Sequence, residues 1–252
     1  MHVRSRRRSK PSLLHRIRVL WVFIVVLLAA AGYGGYMLAT WSAFDPKTIA
    51  VEGERHVSAD EIRHRAAIPL DRNIWLLDKH AAERRIDAIP WIRSAAIHRS
   101  LPAEVRIVVQ ERVPAACVDS SSRRYLIDDT AHVLETACNA HELLRITWRP
   151  MEAQPAGAVL DASRVQRTLA DAAQLRAANL TIARIGWDQF GGLVAELQAG
   201  PSLRFGDDRN LAQKAALVKP ILHAYGGRAN EVAAIDLRAA STPVVQLRRP
   251  KK

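Results

Sequence analysis

Cys117 and Cys138 are the two cysteines of the chain, and two chemistries are open to them. They can oxidise to a disulfide if their Cα atoms come within about 7 Å, a condition that two cysteines flanking a hairpin can meet. They can instead hold a metal with His141, which completes a C-x-x-H spacing after Cys138. A zinc site needs four ligands, and no second pair stands at a suitable distance in the sequence, so no metal is expected. Asp128-Asp129 could share acid–base work, but beside Thr130 it reads as a turn, because Asp side chains bond their own backbone two residues on. Gly191-Gly192 reads as a hairpin turn, not a phosphate cradle. The nine histidines are scattered, with His56, His64 and His80 expected on solvated helix or turn faces. The sequence holds no P-loop, no G-x-S-x-G elbow, no H-E-x-x-H and no dinucleotide glycine fingerprint. No catalytic residue and no cofactor is therefore expected. The chemistry left is contact: an unpaired strand edge exposes N–H and C=O groups that can accept a strand from a partner. The last strand, 243–247, is the candidate edge.

The elements that would position such an edge begin with a membrane crossing. Residues 19–40 hold no acidic or basic side chain, and as a helix they span roughly 33 Å against a hydrocarbon core of about 30 Å. Trp21 stands at one end and Tyr33, Tyr36 and Trp41 at the other, where amphipathic rings favour the interfaces. Gly32, Gly34 and Gly35 either permit close helix approach or face lipid. The formal charge is +12, and its distribution carries the meaning. Seven of the 37 Lys and Arg fall in residues 1–18 and four in 248–252; the remainder has 26 bases against 25 acids. A folded nucleic-acid-binding domain would carry its own basic face, so no nucleic acid is expected as a partner. The seven bases before the apolar run hold that side in the cytoplasm and place 44–252 outside. An apolar run longer than the usual 7–15 residues, without a convincing A-x-A site, reads as an uncleaved anchor and not a signal peptide. The exported compartment permits the disulfide.

Beyond a short stem, 48–53 alternates as a strand. Ser58 and Glu61 then have capping-box spacing, with Val57 and Ile62 as a hydrophobic staple. That helix ends before Pro69, and 71–73 is a turn. Asp78 caps a second helix with Ala82, Ile86 and Ile89 on one face, ended by Pro90. Strands follow at 92–99 and 104–111. The order β-α-α-β-β in 47–114 predicts a small α+β domain. Residues 115–247 then read as a mixed, mainly antiparallel β domain with two helices packed on it. Short strands are expected at 115–118, 125–127, 133–134 and 143–148, with a turn at 120–122 and a break at Pro150 and Pro155. A helix starts from Asp161 or Ser163. A meander at 181–187, 193–197 and 202–205 leads to a helix capped by Asp208, with a kink or early end at Pro220. Strands at 232–238 and 243–247 close the region, and 248–252 is a basic tail.

Val51-Glu-Gly53, Val57-Ser58 with Glu61-Ile62, Asn73-Ile74 with Leu77-Asp78, Pro90-Trp91-Ile92, Arg99 with Pro102, and Val109-Gln-Glu111-Arg-Val-Pro114 follow in order after the single span. Together they resemble the POTRA domain of the bacterial cell-division family FtsQ/DivIB. Leu203-Arg-Phe-Gly206, the capped helix and Ile235-Asp-Leu-Arg238 resemble that family's β domain. Where the family often carries Tyr after Asp-Leu-Arg, this chain has Ala239; Ser241 matches a residue type seen there.

The resemblance implies a non-catalytic scaffold in the inner membrane at the division septum. It would bind small bitopic coiled-coil proteins of the FtsB/DivIC and FtsL class, among other division proteins, and link early to late components. No small-molecule substrate is implied. Partner contact would fall on Asp236, Leu237, Arg238, Ser241, Val244, Val245, Gln246 and Leu247. Arg84, Arg85, Arg93 and Arg99 read either as a solvated face or, by the resemblance, as a docking face for early division proteins. The alternative is a POTRA-type chaperone or transport component of envelope assembly.

Overall fold

The structure, a computed structural model, describes residues 13–120, 123–148 and 151–248. The basic clusters at 1–12 and 249–252, part of the turn at 120–122 and the break at Pro150 lie outside the described residues. The chain divides into two units. One comprises Met1–Gly53, Ser58–Arg84 and Ala95–Val109; the other comprises Glu54–Val57, Arg85–Ser94 and Gln110–Lys252.

The first unit opens with α1 (Leu13–Ala39). Its segment Ile17–Leu38 has a mean hydropathy of 2.1 and none of it is buried, unlike a helix that belongs to a soluble core. It is long and apolar enough to cross a membrane, as a single-pass protein requires. β1 (Thr48–Glu52) and α2 (Ala59–Ala66) follow. Ser58 caps α2 by accepting from the Glu61 N–H at 3.2 Å. Gly53 ends β1 with φ +92°, and any Cβ there would collide with the Val109 carbonyl. Only glycine tolerates both conditions. The expected turn at 71–73 falls at 70–72 and leads into a one-turn 3-10 helix (Ile74–Leu76), where Asn73 Oδ1 accepts from the Trp75 N–H. α3 (Lys79–Asp87) is capped by Asp78, whose Oδ1 accepts from the Ala81 N–H at 2.9 Å. β2 (Ile92–Ser100) and β3 (Glu104–Glu111) complete a sheet ordered β1-β3-β2, and like α3 they contribute residues to both units. β1 runs parallel to β3, with Val51 opposite Ile107; α2 and α3 lie between β1 and β2 in the chain, as a parallel crossover requires.

The second unit is built on β4 (Pro114–Asp119), β5 (Arg124–Asp128), β6 (Val133–Glu135), β7 (Leu144–Thr147), β8 (Ile182–Trp187), β9 (Leu193–Leu197), β10 (Ser202–Gly206), β11 (Val232–Asp236) and β12 (Val244–Leu247). Among the described residues they form one sheet in the order β12-β11-β10-β9-β8-β7-β4-β5-β6. The β4–β7, β7–β8 and β10–β11 pairs are parallel and the rest antiparallel. α4 (Ala162–Ala177) and α5 (Leu211–Tyr225) supply the helical side of the core. There Val165, Leu175, Ala215 and Val218 bury against Val118, Ile185, Phe205 and Ile235. The fold is α+β, as the element order predicts.

For α5, the expected cap at Asp208 and the expected early end at Pro220 are corrected. Asp208 does not cap it; the N-cap is Asn210 in the left-handed region, with no side-chain cap bond. Lys214 fixes the start instead: its buried Nζ donates to the Phe205 and Asp207 carbonyls and to Asp207 Oδ1 at 2.8–3.0 Å. α5 also runs through Pro220 to Tyr225. Pro220 and Ala216 are both exposed, so water can satisfy the Ala216 carbonyl that the proline leaves unpaired.

Candidate functional site at the open sheet edge

β12 is the terminal strand of the large sheet and pairs with β11 alone among the described strands. Val244 lies opposite Asp236, Val245 opposite Ile235 and Gln246 opposite Ala234. The Arg248 N–H donates inward to the Glu231 carbonyl at 2.7 Å. Backbone groups alternate sides along an antiparallel strand. Val244 and Gln246 therefore share the inward direction, and the N–H and C=O of Val245 and Leu247 point to the unpaired side. Side chains alternate across the sheet face in the same way. Val245 is half-buried against the core, while Val244 is 62% and Leu247 45% exposed. Gln246 is exposed as well.

The turn that leads into β12 is rigidly built. Asp236 accepts from the Arg238 N–H, and the Arg238 Nε and Nη2 reach its two oxygens at 2.7–3.0 Å. That pairing holds the Asp236 carboxyl below its ordinary value. Gly206, with φ +70°, passes beside this corner, and a Cβ there would stand 3.0 Å from Arg238 Cγ. Arg238, Ala239 and Ser241 are exposed. Leu237 is fully buried: its N–H donates to the Arg204 carbonyl at 2.7 Å and its side chain packs in the core, so it offers no surface.

The four candidate arginines are divided between the two units. Arg84 and Arg99 belong to the first unit, Arg85 and Arg93 to the second. Arg84 and Arg85 are exposed. Arg93 pairs with Asp129 at 3.6 Å. Arg99 serves its own unit: its Nη1 donates to the Ile74 and Trp75 carbonyls, and its guanidinium lies 5.5 Å from the Trp75 ring centroid.

Cys117 on β4 and Cys138 form a disulfide with a Cα–Cα separation of 5.9 Å. They pack with Leu126, Leu134 and Trp91 in a small second cluster. Among the described residues no three His, Cys, Asp or Glu side chains gather as a metal site would need.

Sequence reasoning missed a polar knot in the second unit. Asp128, fully buried, does make the expected turn, accepting from the Thr130 and His132 N–H groups. It also pairs with Arg112 at 2.8 Å, while Arg112 Nε donates to the Ile92 carbonyl. Burial opposes the charge on Asp128, but Arg112, the His132 N–H and Thr130 outweigh it and hold the carboxyl below its ordinary value. Burial and Arg112 push the His132 imidazole down. The adjacent Glu111 accepts from the N–H groups of Arg55, His56 and Val57, and His56, exposed as expected, also stacks on Trp91 at 3.7 Å. Glu111 and Arg112 sat in the resemblance as bare letters, because their partners are 16 to 56 residues away.

The FtsQ-type POTRA domain model matches residues 44–112. The cell division protein FtsQ of Syntrophotalea carbinolica is 34% identical over 110 residues, 44% of this chain and 39% of that protein, less than two thirds of its length. FtsQ of Chloroflexus aurantiacus is 29% identical over 72% of this chain and 67% of its own. FtsQ of Streptomyces bingchenggensis is 25% identical over 248 residues, 96% of this chain and 90% of its own.

Proposed function

Because the chain belongs to the FtsQ/DivIB family of cell-division proteins, we propose that it is a non-catalytic scaffold of the division machinery. α1 anchors it in the inner membrane, with the basic residues of 1–18 on the cytoplasmic side and 44–252 outside. The second unit takes a strand from a small bitopic coiled-coil partner of the FtsB/DivIC and FtsL class along β12. The span and the first unit recruit the chain to the septum and link early to late division proteins.

The observation that carries this reading is the position of β12. It is short, terminal in the sheet and mostly exposed, with two residues whose backbone groups face away from β11. Such an edge invites a further strand. Backbone pairing depends little on side-chain identity, so Ala239 is compatible with it. Depletion tests the role: cells losing the protein should grow into filaments whose envelopes lack septa. Normal septation after depletion would refute the scaffold reading.

A further inference from the structure

We propose that the loop carrying Leu70, Trp75 and Leu76 sits in the headgroup layer of the membrane that α1 crosses, so that the first unit holds the bilayer by a second contact. The proposal rests on reading α1 as a spanning helix. Leu70 is 60%, Trp75 50%, Leu76 68% and Leu101 67% exposed. With Trp41 they are the large exposed apolar side chains of the first unit beyond α1, among the described residues.

Trp41 and the loop carrying Leu70, Trp75 and Leu76 lie beside the point where the chain leaves the span. Trp41 follows α1 directly. Asn73, itself buried, ties the loop to the span: its Nδ2 donates to the Leu38 carbonyl at 3.1 Å and its Oδ1 accepts from the Trp75 N–H at 2.9 Å. Leu38 is in the last turn of α1, and its carbonyl also accepts from the Trp41 N–H at 3.4 Å. One side chain therefore sets Trp75 at the level where the span ends. Leu101 stands two residues before Ala103, whose carbonyl accepts from the Lys47 N–H at 3.0 Å in the segment that follows the span. Arg99, bonded to the Ile74 and Trp75 carbonyls and packed over the Trp75 ring, braces the 3-10 turn from within the unit. Trp75 and Leu76 remain half or more exposed.

Tryptophan and leucine presented at the end of a span fit the interfacial layer, where an indole has both an apolar body and a polar tip. The charges flanking the loop in sequence balance, Arg72 and Lys79 against Asp71 and Asp78, while Arg99 is engaged on the Ile74 and Trp75 carbonyls. The contact is therefore apolar insertion into phospholipid of any headgroup charge, reaching about 5–10 Å below the headgroups.

The native cysteines are paired, so an added thiol can be labelled alone. Full-length protein carrying Leu76→Cys with an environment-sensitive fluorophore is reconstituted in phosphatidylcholine vesicles holding a shallow nitroxide lipid. His64→Cys, on the exposed side of α2, serves as the aqueous reference, and Val26→Cys, read with a deep nitroxide lipid, reports the span. Position 76 should be quenched several-fold more than position 64, with blue-shifted emission, and Trp75→Ser should reduce that difference. Replacing half the lipid by phosphatidylglycerol should leave it unchanged. Quenching at 76 equal to that at 64, with Val26 quenched, overturns the proposal and leaves the span standing. An unquenched Val26 overturns the span itself. Contact that appears only with the anionic lipid overturns apolar insertion.

Discussion

Arg112 and Asp128 show how much one buried residue pair can carry in the second unit. Breaking a buried pair by removing one partner strands the other charge and costs about 3 kcal/mol or more. Arg112→Ala should lower the stability of the second unit by that amount in chemical denaturation at neutral pH. The sign of the pH effect follows from Asp128. Its folded carboxyl titrates below its ordinary value, so its contribution is complete above pH 4 or so and is lost as pH falls through the folded value. Acidification should therefore close much of the gap between wild type and Arg112→Ala. Asp171 on α4 behaves in the opposite way. Burial first, then the nearby Asp208, push its carboxyl up to about 6 from 3.8, and its Oδ2 has no hydrogen-bond partner. The folded state then binds the proton more tightly than the unfolded chain, so stability falls as pH rises from about 4 to about 6. Asp171→Asn should raise the melting temperature at pH 7.5 and do little at pH 4. An equal effect at both values would place the cost in packing and not in charge.

At the scale of elements, local chemistry marked starts well and tertiary ties poorly. Ser58, Asp78 and Asp161 cap their helices through side-chain oxygens where the spacing predicts, because a cap is settled within three residues. α5 broke that pattern. Its start depends on Lys214 reaching back to β10, and its passage through Pro220 depends on which face meets water. Neither is written in a window of sequence. The disulfide belongs at this scale as well. β7 must return past β5 and β6 to lie parallel to β4, with Ala116 opposite Leu144, and Cys117–Cys138 closes the chain over 21 residues of that return. Chain-entropy arithmetic for such a loop gives about 3 kcal/mol. Cys117→Ser with Cys138→Ser should lower the midpoint of chemical denaturation accordingly, and thiol alkylation of the untreated protein should label nothing until a reductant is added. Labelling without reductant would show that the pair is open in the native protein.

For the molecule as a whole, the order of elements was legible because each carries its own period: 22 apolar residues, then strand and helix patterns with turn residues between them. The α+β class and the family resemblance followed from that order. Glu54–Val57 and Arg85–Ser94 join the second unit through bonds such as Glu111 to three backbone N–H groups, which no local signal announces. The candidate edge was legible as a strand, since Val244, Val245 and Leu247 are strand formers. Its place at the end of the sheet and the inward burial of Leu237 needed three dimensions. The central claim is that β12 binds by backbone pairing, and one substitution addresses it directly. The Val245 N–H points away from β11, so Val245→Pro removes a donor from the open edge and none from the internal ladder. The variant, extracted in detergent, should keep the wild-type melting temperature and lose co-purification of the small bitopic division proteins. A variant that melts like wild type and still retains them would contradict strand addition at β12.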